Sequence, residues 1–462
     1  AFVMVTGENA ADMVMGALEY DPDSYLTKPI TMGILEQRLK RLFAIRRVLA
    51  PVYKALDTDR LKEAAEIAET LLEQHPQMVL PITRILGKTY VRMKKFNSAI
   101  RVYSNLLNDR SVSWAWLGQA VCLHNLGDSL SAIALLKETI RKHPKYVQCY
   151  DWLARIYLTM DDKEYAQKLL EKASRISPKA VLRQRELGAL ALENGDVEVA
   201  AKAFEQAVRL GRHSCYKNHD AYLKFAYATL PLLEEDFITH KRLGDKAQRV
   251  LNELQSDYKS KLTICFVGLL TQARLSNAQR QPERALRQIA EAEHLYHQQE
   301  EPGVQDTLAL SQAFIDNNQH IRARDLLKSM DLKALSKPDR ELVNAQLQAL
   351  DETVIRQHSD KINAAGVSMY EKGDLKGAMA AFDEAVEYDQ AGISVLLNAI
   401  QVRLGLMSEN DCPHALKREL IVQCRPLFQR IGPIGQTDER FDRYQRLKTR
   451  FTSLLQEATH EI

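Results

Sequence analysis

A helix-pair pattern returns along this chain with a nearly constant period. A small residue marks the start of each second helix, and the four markers are Ala99, Ala132, Ala166 and Ala200. Neighbouring markers are separated by 33, 34 and 34 residues. A period of this length is typical of stacked helix pairs, in which no pair buries its apolar face until a neighbour packs on it. The pattern therefore predicts a superhelix of helix pairs.

Each repeat has small residues where two helices approach closely and large apolar residues three or four positions apart on one stripe. The first repeat carries this pattern in Leu86, Gly87, Tyr90, Ala99 and Tyr103. The arrangement resembles the tetratricopeptide-repeat signature. Two further copies lie downstream, a clear one with Gly366, Gly373, Ala378 and Phe382 and a weaker one with Leu310, Phe314, Ala323 and Leu327.

The first 48 residues have a different pattern. Residues 2–5 form a short apolar run that ends at a Thr-Gly pair, and residues 24–29 form a second run that ends at a proline. These runs predict two buried strands. Helices are predicted at about Ala10 to Tyr20 and Thr31 to Val48. Alternating strands and helices are typical of a parallel α/β sheet, although two strands do not make such a sheet alone.

This beginning resembles the second half of a response-regulator receiver domain, which has a flavodoxin-like α/β fold. The resemblance rests on Thr6 and Gly7 at one strand end and on Tyr25, Lys28 and Pro29 at the next. It implies that Thr6 and Lys28 contact a phosphorylated aspartate, that Tyr25 turns inward with Thr6, and that Pro29 follows a cis peptide bond. The metal-binding acidic pair and the phosphorylated aspartate of that family precede the point where this sequence starts. We therefore expect an N-terminally shortened chain, with Mg²⁺ and a histidine kinase relevant only to the intact protein.

The fold class predicted for the whole chain is mainly α, a superhelix of tetratricopeptide type preceded by an incomplete receiver-like module. The expected divisions are residues 1–48 for that module, 49–212 for tandem repeats, 213–302 for irregular long helices and 303–462 for further repeats with capping helices. Beyond Gly211 the period is lost. The four long helices are predicted at about 220–233, 236–256, 259–277 and 282–299, and two closing helices are expected after the Gly-Pro-Ile-Gly break at 432–435.

Charge and composition exclude some functions. Lys and Arg number 63 against 60 Asp and Glu, a net charge of +3, which favours neither nucleic acid nor a membrane surface as the partner. No apolar run approaches the roughly 20 residues that span a bilayer. The six cysteines have no metal or disulfide spacing, so reduced thiols and a cytoplasmic location are expected.

Catalytic and metal-binding patterns are weak. His294 and His297 lie one helical turn apart, as two metal ligands can, but no third ligand is near and polar neighbours favour a solvated surface. No nucleophile, base and orienting group fall together, and no phosphate-binding glycine loop is present. We expect neither an enzyme nor a cofactor in this chain.

The first helix of each pair is expected to line a concave groove. Arg84, Lys88 and Arg92 are spaced by four and form one basic stripe on such a helix. The residues expected to follow on the same surface are Trp114, His124, Asn125, Arg155 and Arg185. Arg and Lys form charge-assisted hydrogen bonds and the indole supplies apolar area, so this groove suits an acidic extended segment or a peptide carboxylate. The alternative is an ordinary solvated face.

Together these patterns predict a response regulator whose output is protein binding through a tetratricopeptide scaffold, with a homodimer as one further arrangement. Two alternatives stay open. One is a scaffold that does not respond to phosphate. The other is an RNA-associated regulator that uses basic C-terminal helices, since residues 417–450 hold nine Lys or Arg against four acids. Nucleic acid remains the less favoured partner, because charged helix faces are usually solvated.

Overall fold

The computed structural model describes residues 2–7, 14, 22–387, 392–409 and 412–460. Helices make up most of this part of the chain. Two compact units are distinguished, unit 1 with residues 1–291 and unit 2 with residues 292–462. The boundary differs from the divisions that the sequence predicts, and those divisions stay a prediction.

Unit 1 begins with two short parallel strands, β1 (Val3–Thr6) and β2 (Ser24–Thr27). Val3 lies opposite Ser24 and Thr6 lies opposite Thr27. Helix α1 (Met32–Asp57) follows, with the hydroxyl of Thr31 accepting a hydrogen bond from the backbone of Ile34 at 3.4 Å. Both strands and the start of the helix are confirmed. The predicted helix at 10–20 falls outside the described residues, apart from residue 14.

Two details of this region bear on the receiver resemblance. The Lys28–Pro29 peptide bond is cis, as the resemblance implies. The described residues hold only β1 and β2, however, and two strands of four residues are too few for a parallel sheet covered by helices on both faces. A receiver-like α/β module is therefore not supported. Helix α1 also continues through Pro51, beyond the predicted end at residue 48, since its later residues Leu49, Val52 and Ala55 are buried against the next helices.

The rest of unit 1 is a series of antiparallel helices, each packed against its successor. They are α2 (Leu61–Gln74), α3 (Val79–Arg92), α4 (Phe96–Asp109), α5 (Ser113–Asn125), α6 (Ser129–Lys142), α7 (Gln148–Thr159), α8 (Lys163–Ile176), α9 (Val181–Glu193), α10 (Val197–Gly211), α11 (His219–Glu235), α12 (Phe237–Asp257) and α13 (Leu262–Ala278). Helix α14 (Pro282–His297) crosses the boundary between the units. All four long helices predicted after Gly211 are confirmed within three residues at each end.

The turns inside the second and fourth helix pairs share one chemistry. Gly127 and Gly195 have φ of 92° and 78°, a left-handed conformation that ends the first helix without a Cβ penalty. The next residue is an aspartate that caps the second helix. Asp128 accepts a hydrogen bond from the backbone of Ser131 at 3.0 Å, and Asp196 accepts one from Val199 at 3.2 Å. A Gly-Asp pair thus ends one helix and begins its partner.

Helix pairs close through one contact that repeats along the chain. The ring of Phe204 lies on Gly188, where a Cβ would approach a ring carbon within 2.8 Å. Phe382 lies on Gly366 with a corresponding distance of 2.7 Å. In both pairs the aromatic residue follows the glycine by sixteen positions. The glycine therefore supplies the space that the aromatic ring fills in the core.

Unit 2 contains the weak and the clear downstream copies. Its helices are α15 (Val304–Asp316), α16 (His320–Lys328), α17 (Lys337–Glu371), α18 (Leu375–Val386), α19 (Ile393–Met407), α20 (His414–Ile431) and α21 (Phe441–His460). The clear copy uses the last turns of α17, a helix of 35 residues whose length the sequence pattern does not reveal. The prediction of two closing helices after residue 435 is wrong for the described residues, because α20 ends before the Gly432 break and α21 follows it.

No helix among the described residues combines the length and the apolar character needed for a membrane span.

Candidate functional site: a basic groove in unit 1

Arg84, Lys88 and Arg92 occupy one face of α3, the first helix of the first repeat. Lys88 and Arg92 are exposed and Arg84 is half-buried. Arg92 donates to the carboxylate of Asp59 at 3.0 Å, but both side chains are mostly exposed, so the ion pair adds little stability. The face keeps a strong positive charge.

Trp114 stands beside this basic face at the start of α5. The guanidinium of Arg84 lies 5.5 Å from the centre of its indole ring, within cation–π range. The ring of Tyr103 meets the indole edge-on at 6.3 Å between centroids. Tyr103 is fixed between Gly87 and Gly118, where a Cβ would come within 2.3 Å and 2.6 Å of its ring. The indole therefore rests on a rigid support.

Burial raises the pKa of the Tyr103 phenol, and Cys122 adds to the rise while Arg84 opposes it. The phenol is therefore neutral across the physiological range. The phenol therefore adds no negative charge beside Arg84 and Lys88.

Two adjoining concavities share the basic stripe and the indole. The first has a volume of about 490 Å³ and the second of about 610 Å³. Arg84, Lys88, Arg92 and Trp114 line both, and we call this combined surface the basic groove. The first concavity is completed by residues of α1 and by Asp23. The second is completed by apolar and aromatic residues, among them Leu117, Val121, Tyr146 and Trp152.

The remaining groove residues predicted from sequence do not all join this surface. Arg155 is exposed and lines a separate concavity of about 280 Å³, where it lies 3.5 Å from the carboxylate of Glu186 and 5.4 Å from the ring of Trp152. Arg185 is half-buried and is absent from the residues lining that concavity. A single basic stripe along four repeats is therefore not what the structure contains.

His124 and Asn125 have local roles at the end of α5. A ring nitrogen of His124 lies 2.9 Å from the hydroxyl of Ser129, across the turn to the second helix. The amide of Asn125 donates to the carbonyl of Val121 at 2.8 Å. Neither residue lines either concavity of the basic groove. Their spacing predicted positions in the groove, but both residues lie at the C-terminal end of α5, beyond the groove.

Several residues of the groove region were not predicted. Leu117 and Val121 follow Arg84 and Lys88 by 33 residues, one repeat, so the period itself points to them. No sequence pattern pointed to Arg183. It is 5% exposed and donates to both carboxylate oxygens of Asp151 at 2.7 Å and 2.8 Å, joining α7 to α9. A buried bidentate pair of this kind holds neighbouring first helices in register.

The predicted switch residues lie around the two strands. Thr6 ends β1 and the backbone of Lys28 donates to its carbonyl at 2.7 Å, so both residues are at the same end of the sheet. Tyr25 is half-buried within β2, and Lys28 and Pro29 are exposed. Their role in phosphate sensing remains a prediction.

Histidines and basic residues elsewhere have ordinary contacts. His294 lies 2.9 Å from the amide of Gln298. Within the described ranges, no three His, Cys, Asp or Glu side chains are placed to hold a metal ion. In the basic C-terminal region, Arg440 pairs with Asp438 at 2.8 Å and Arg450 donates to Ser408 at 2.8 Å. Two of these basic side chains are therefore engaged in contacts within unit 2.

Comparison with known families fits the period and the packing. A tetratricopeptide-repeat family model matches residues 86–147 and 153–224. The chain contains tetratricopeptide repeats. The matched residues include Lys88, Arg92 and Trp114 of the basic groove but not Arg84, and they do not extend to β1 or β2. Tetratricopeptide repeats typically form non-catalytic scaffolds that bind other proteins.

Solved structures give more distant likenesses. A C-terminal part of a tetratricopeptide protein from Cytophaga hutchinsonii is 15% identical, with 55% of this chain and 96% of that chain covered and a TM-score of 0.39. MamA from Desulfovibrio magneticus is 17% identical over 36% of this chain and 94% of that chain, with a TM-score of 0.30. YrrB, described as having an unusual peptide-binding site, is 14% identical over 42% of this chain and 91% of that chain, with a TM-score of 0.32. No curated protein matches the chain.

Proposed function

We propose that this protein is a binding scaffold whose basic groove takes an extended, acidic segment of a partner protein. The observation that carries the proposal is that three basic side chains and one indole line two adjoining concavities. Together they extend over the first helices of three repeats, α3, α5 and α7, and over the second half of α1. A continuous surface of this kind suits an extended segment better than a compact small molecule.

The groove offers two kinds of contact. Lys88 and Arg92 are exposed and reach into solvent, where they meet carboxylates of an approaching segment. Trp114 and Trp152 offer half-buried aromatic surface to an apolar side chain between those carboxylates. Arg84 lies against the indole and positions it. The preferred ligand is therefore a segment with acidic residues around one large apolar residue.

The test is affinity capture from the source cell, with the captured proteins identified by mass spectrometry. Three forms are compared: the wild type, Arg84→Ala/Lys88→Ala/Arg92→Ala, and a control with Lys168→Ala/Lys172→Ala/Arg175→Ala. The control residues are exposed basic side chains of α8 and line neither concavity of the groove. The control removes the same charge without touching the groove.

A partner held by the groove is recovered by the wild type and the control and lost by the groove variant. A peptide covering its acidic segment then binds the groove variant at least tenfold more weakly in fluorescence polarisation, or about 1.4 kcal/mol. Equal recovery by all three forms contradicts the proposal, as does equal loss in both variants, which indicates only a dependence on net charge.

A phosphate-responsive function is a second hypothesis. It is favoured by the parallel register that brings Thr6 and Lys28 to one end of the strands. If it holds, acetyl phosphate or beryllofluoride changes the affinity of the protein for its partner, and Thr6→Ala removes that change. Unchanged affinity in the wild type favours a scaffold that does not respond to phosphate. An RNA-associated role requires retention on RNA with a steep salt dependence.

A further inference from the structure

Two buried arginines of the described residues, Arg183 and Arg403, provide a comparison for Arg443. Arg183 and Arg403 are each 5% exposed, and each has a carboxylate: Asp151 for the first and Asp383 for the second. Arg443 of α21 is half-buried but forms no ion pair with an acidic side chain of the described residues. This difference in partners distinguishes Arg443 from the two arginines with structural roles.

Neutral amide oxygens hold the Arg443 guanidinium. Its Nε and Nη2 donate to the side-chain oxygen of Gln401 at 3.2 Å and 2.7 Å, and Nη2 also donates to that of Asn398. These amides are held in turn, because Asn398 donates to Asn363 at 2.8 Å and Gln401 donates to the hydroxyl of Tyr370 at 3.4 Å. The guanidinium is therefore fixed in direction while its charge is left unneutralised.

This group lines a concavity of about 430 Å³ within unit 2. Asn398, Gln401, Tyr370 and Arg443 form its polar part. Val367 and Phe382 give it an apolar wall. A ligand that enters thus meets the positive charge of Arg443, the negative charge of Glu371, two side-chain amides and a patch of apolar surface.

The local charge favours an anion. Burial lowers the pKa of Arg443, and the neighbouring Arg446 lowers it further while Tyr370 opposes them. No carboxylate of the described residues is among the groups that shift the pKa of Arg443. Glu371 also lines the concavity, but it is exposed and makes no ion pair with Arg443. A carboxylate entering the concavity would supply the opposite charge that Arg183 and Arg403 already have.

We propose that the concavity at Arg443 is a binding site for a carboxylate, carried either by a peptide C-terminus or by a small organic acid. Nε and Nη2 of Arg443 are taken by the amide oxygens of Gln401 and Asn398, which leaves Nη1 for a ligand. Nη1 can donate a charge-assisted hydrogen bond to a carboxylate oxygen. The site lies on α17, α19 and α21, in unit 2, and it is independent of the basic groove.

The direct measurement is the NMR signal of the Arg443 Nε–H group in the full chain with ¹⁵N-labelled arginine, assigned from Arg443→Lys. The probes are propionate and propionamide, which have the same size and differ in charge. A second pair is N-acetyl-trialanine with a free carboxylate and with a C-terminal amide. Propionate and the free peptide acid are expected to shift the signal, and both amides are expected to leave it unchanged.

Two variants sharpen the result. Gln401→Glu places a carboxylate beside Arg443, and we expect the response to propionate to fall at least tenfold while the melting temperature holds or rises. Lys448→Gln removes an exposed charge on the same helix that does not act on Arg443, and it is expected to keep the response. Thermal melts of both variants verify that they are folded.

The two sources are separated by affinity. A peptide C-terminus is indicated if the free peptide acid binds at least tenfold more tightly than propionate, and a small organic acid if the two bind equally. Absence of any shift with both carboxylates overturns the site. An equal shift with the amide probes, or loss of the response in Lys448→Gln, also overturns it, since neither outcome requires a charge-specific site at Arg443.

Discussion

Units 1 and 2 contain the same helix pair in different surroundings. In unit 1 the pair of α9 and α10 closes with Phe204 on Gly188 and has further repeats before it. In unit 2 the pair of α17 and α18 closes with Phe382 on Gly366, but its first helix belongs to a helix of 35 residues. The contact inside the pair is thus independent of what precedes it. The neighbouring helices determine how the remaining surface of each pair is packed.

The same comparison separates packing from binding. Glycine and aromatic positions recur with the repeat, because every pair must close. The residues that face the groove do not recur: Leu117 and Val121 stand one repeat after Arg84 and Lys88. The basic side chains that line the groove therefore come from one repeat of unit 1, and in unit 2 the half-buried Arg443 comes from α21 instead. A period predicts the scaffold and leaves its surface free to vary.

The largest expected effect tests whether the closing contact is equally important in both units. Phe204→Ala and Phe382→Ala should each destabilise their own unit by about 3–5 kcal/mol, since both rings are nearly fully buried. Hydrogen exchange should show Phe204→Ala loosening successive repeats of unit 1, because each repeat depends on its neighbours.

Phe382→Ala should instead loosen α17 to α19 around the altered contact. Tyr227→Ala, on a partly exposed ring of unit 1, serves as the control for simple loss of an aromatic side chain. If exchange in α7 to α11 is unchanged by Phe204→Ala, the repeats do not stabilise one another and the comparison fails.

A second prediction contrasts the two arginine environments. Arg183→Met leaves the Asp151 carboxylate without its buried partner and should cost about 3 kcal/mol. Arg443→Met leaves only neutral amides behind and should cost about 1 kcal/mol. Denaturant unfolding of each single variant gives the two values.

The double variant Arg183→Met/Asp151→Leu identifies the cause. Removing both charges should restore part of the stability lost in Arg183→Met, because no unpaired charge is left. Equal costs for Arg183→Met and Arg443→Met would show that the two sites are alike, which would remove a premise of the carboxylate site.

Much of the scaffold could be predicted from sequence. The period, the Gly-Asp turns and the four long helices after Gly211 all follow from local signals, because helix caps and apolar stripes are written in consecutive residues. The length of α17 did not follow, since no Gly or Pro marks its middle and a helical pattern alone does not say where one repeat ends.

The candidate sites were harder to predict from the sequence than the scaffold. The basic stripe at Arg84, Lys88 and Arg92 lies on one helix, so its spacing is visible in sequence. The Arg443 site joins residues of α17, α19 and α21 that are up to 80 positions apart, from Asn363 to Arg443, and no spacing rule connects them. Spacing did predict groove positions for His124 and Asn125, but neither residue lines the groove. Helical spacing alone does not show that α5 ends at Asn125.

The smallest expected effect concerns a tyrosine that unit 1 has and unit 2 lacks. Tyr90 follows Gly87 by three residues, and Met369 occupies the matching place after Gly366. Burial, together with the hydrogen bond that Tyr90 donates to Glu69, raises the pKa of the phenol from 10.0 to about 12. The folded state therefore holds this proton more tightly than the unfolded state does.

The sign of the pH dependence follows from that raised pKa. The stability contributed by the neutral phenol is fully present below pH 10.0 and is lost as the pH rises towards about 12. Tyr90→Phe should cost about 1 kcal/mol at pH 7, where it removes one hydrogen bond, and should lose less stability than the wild type between pH 10 and 12. The check is the urea midpoint of unit 1, followed by exchange of its amides, with Met369→Leu as the matched substitution in unit 2. Parallel pH curves for the wild type and Tyr90→Phe would mean that Tyr90 is not held by burial and Glu69, and that the two units do not differ at this position.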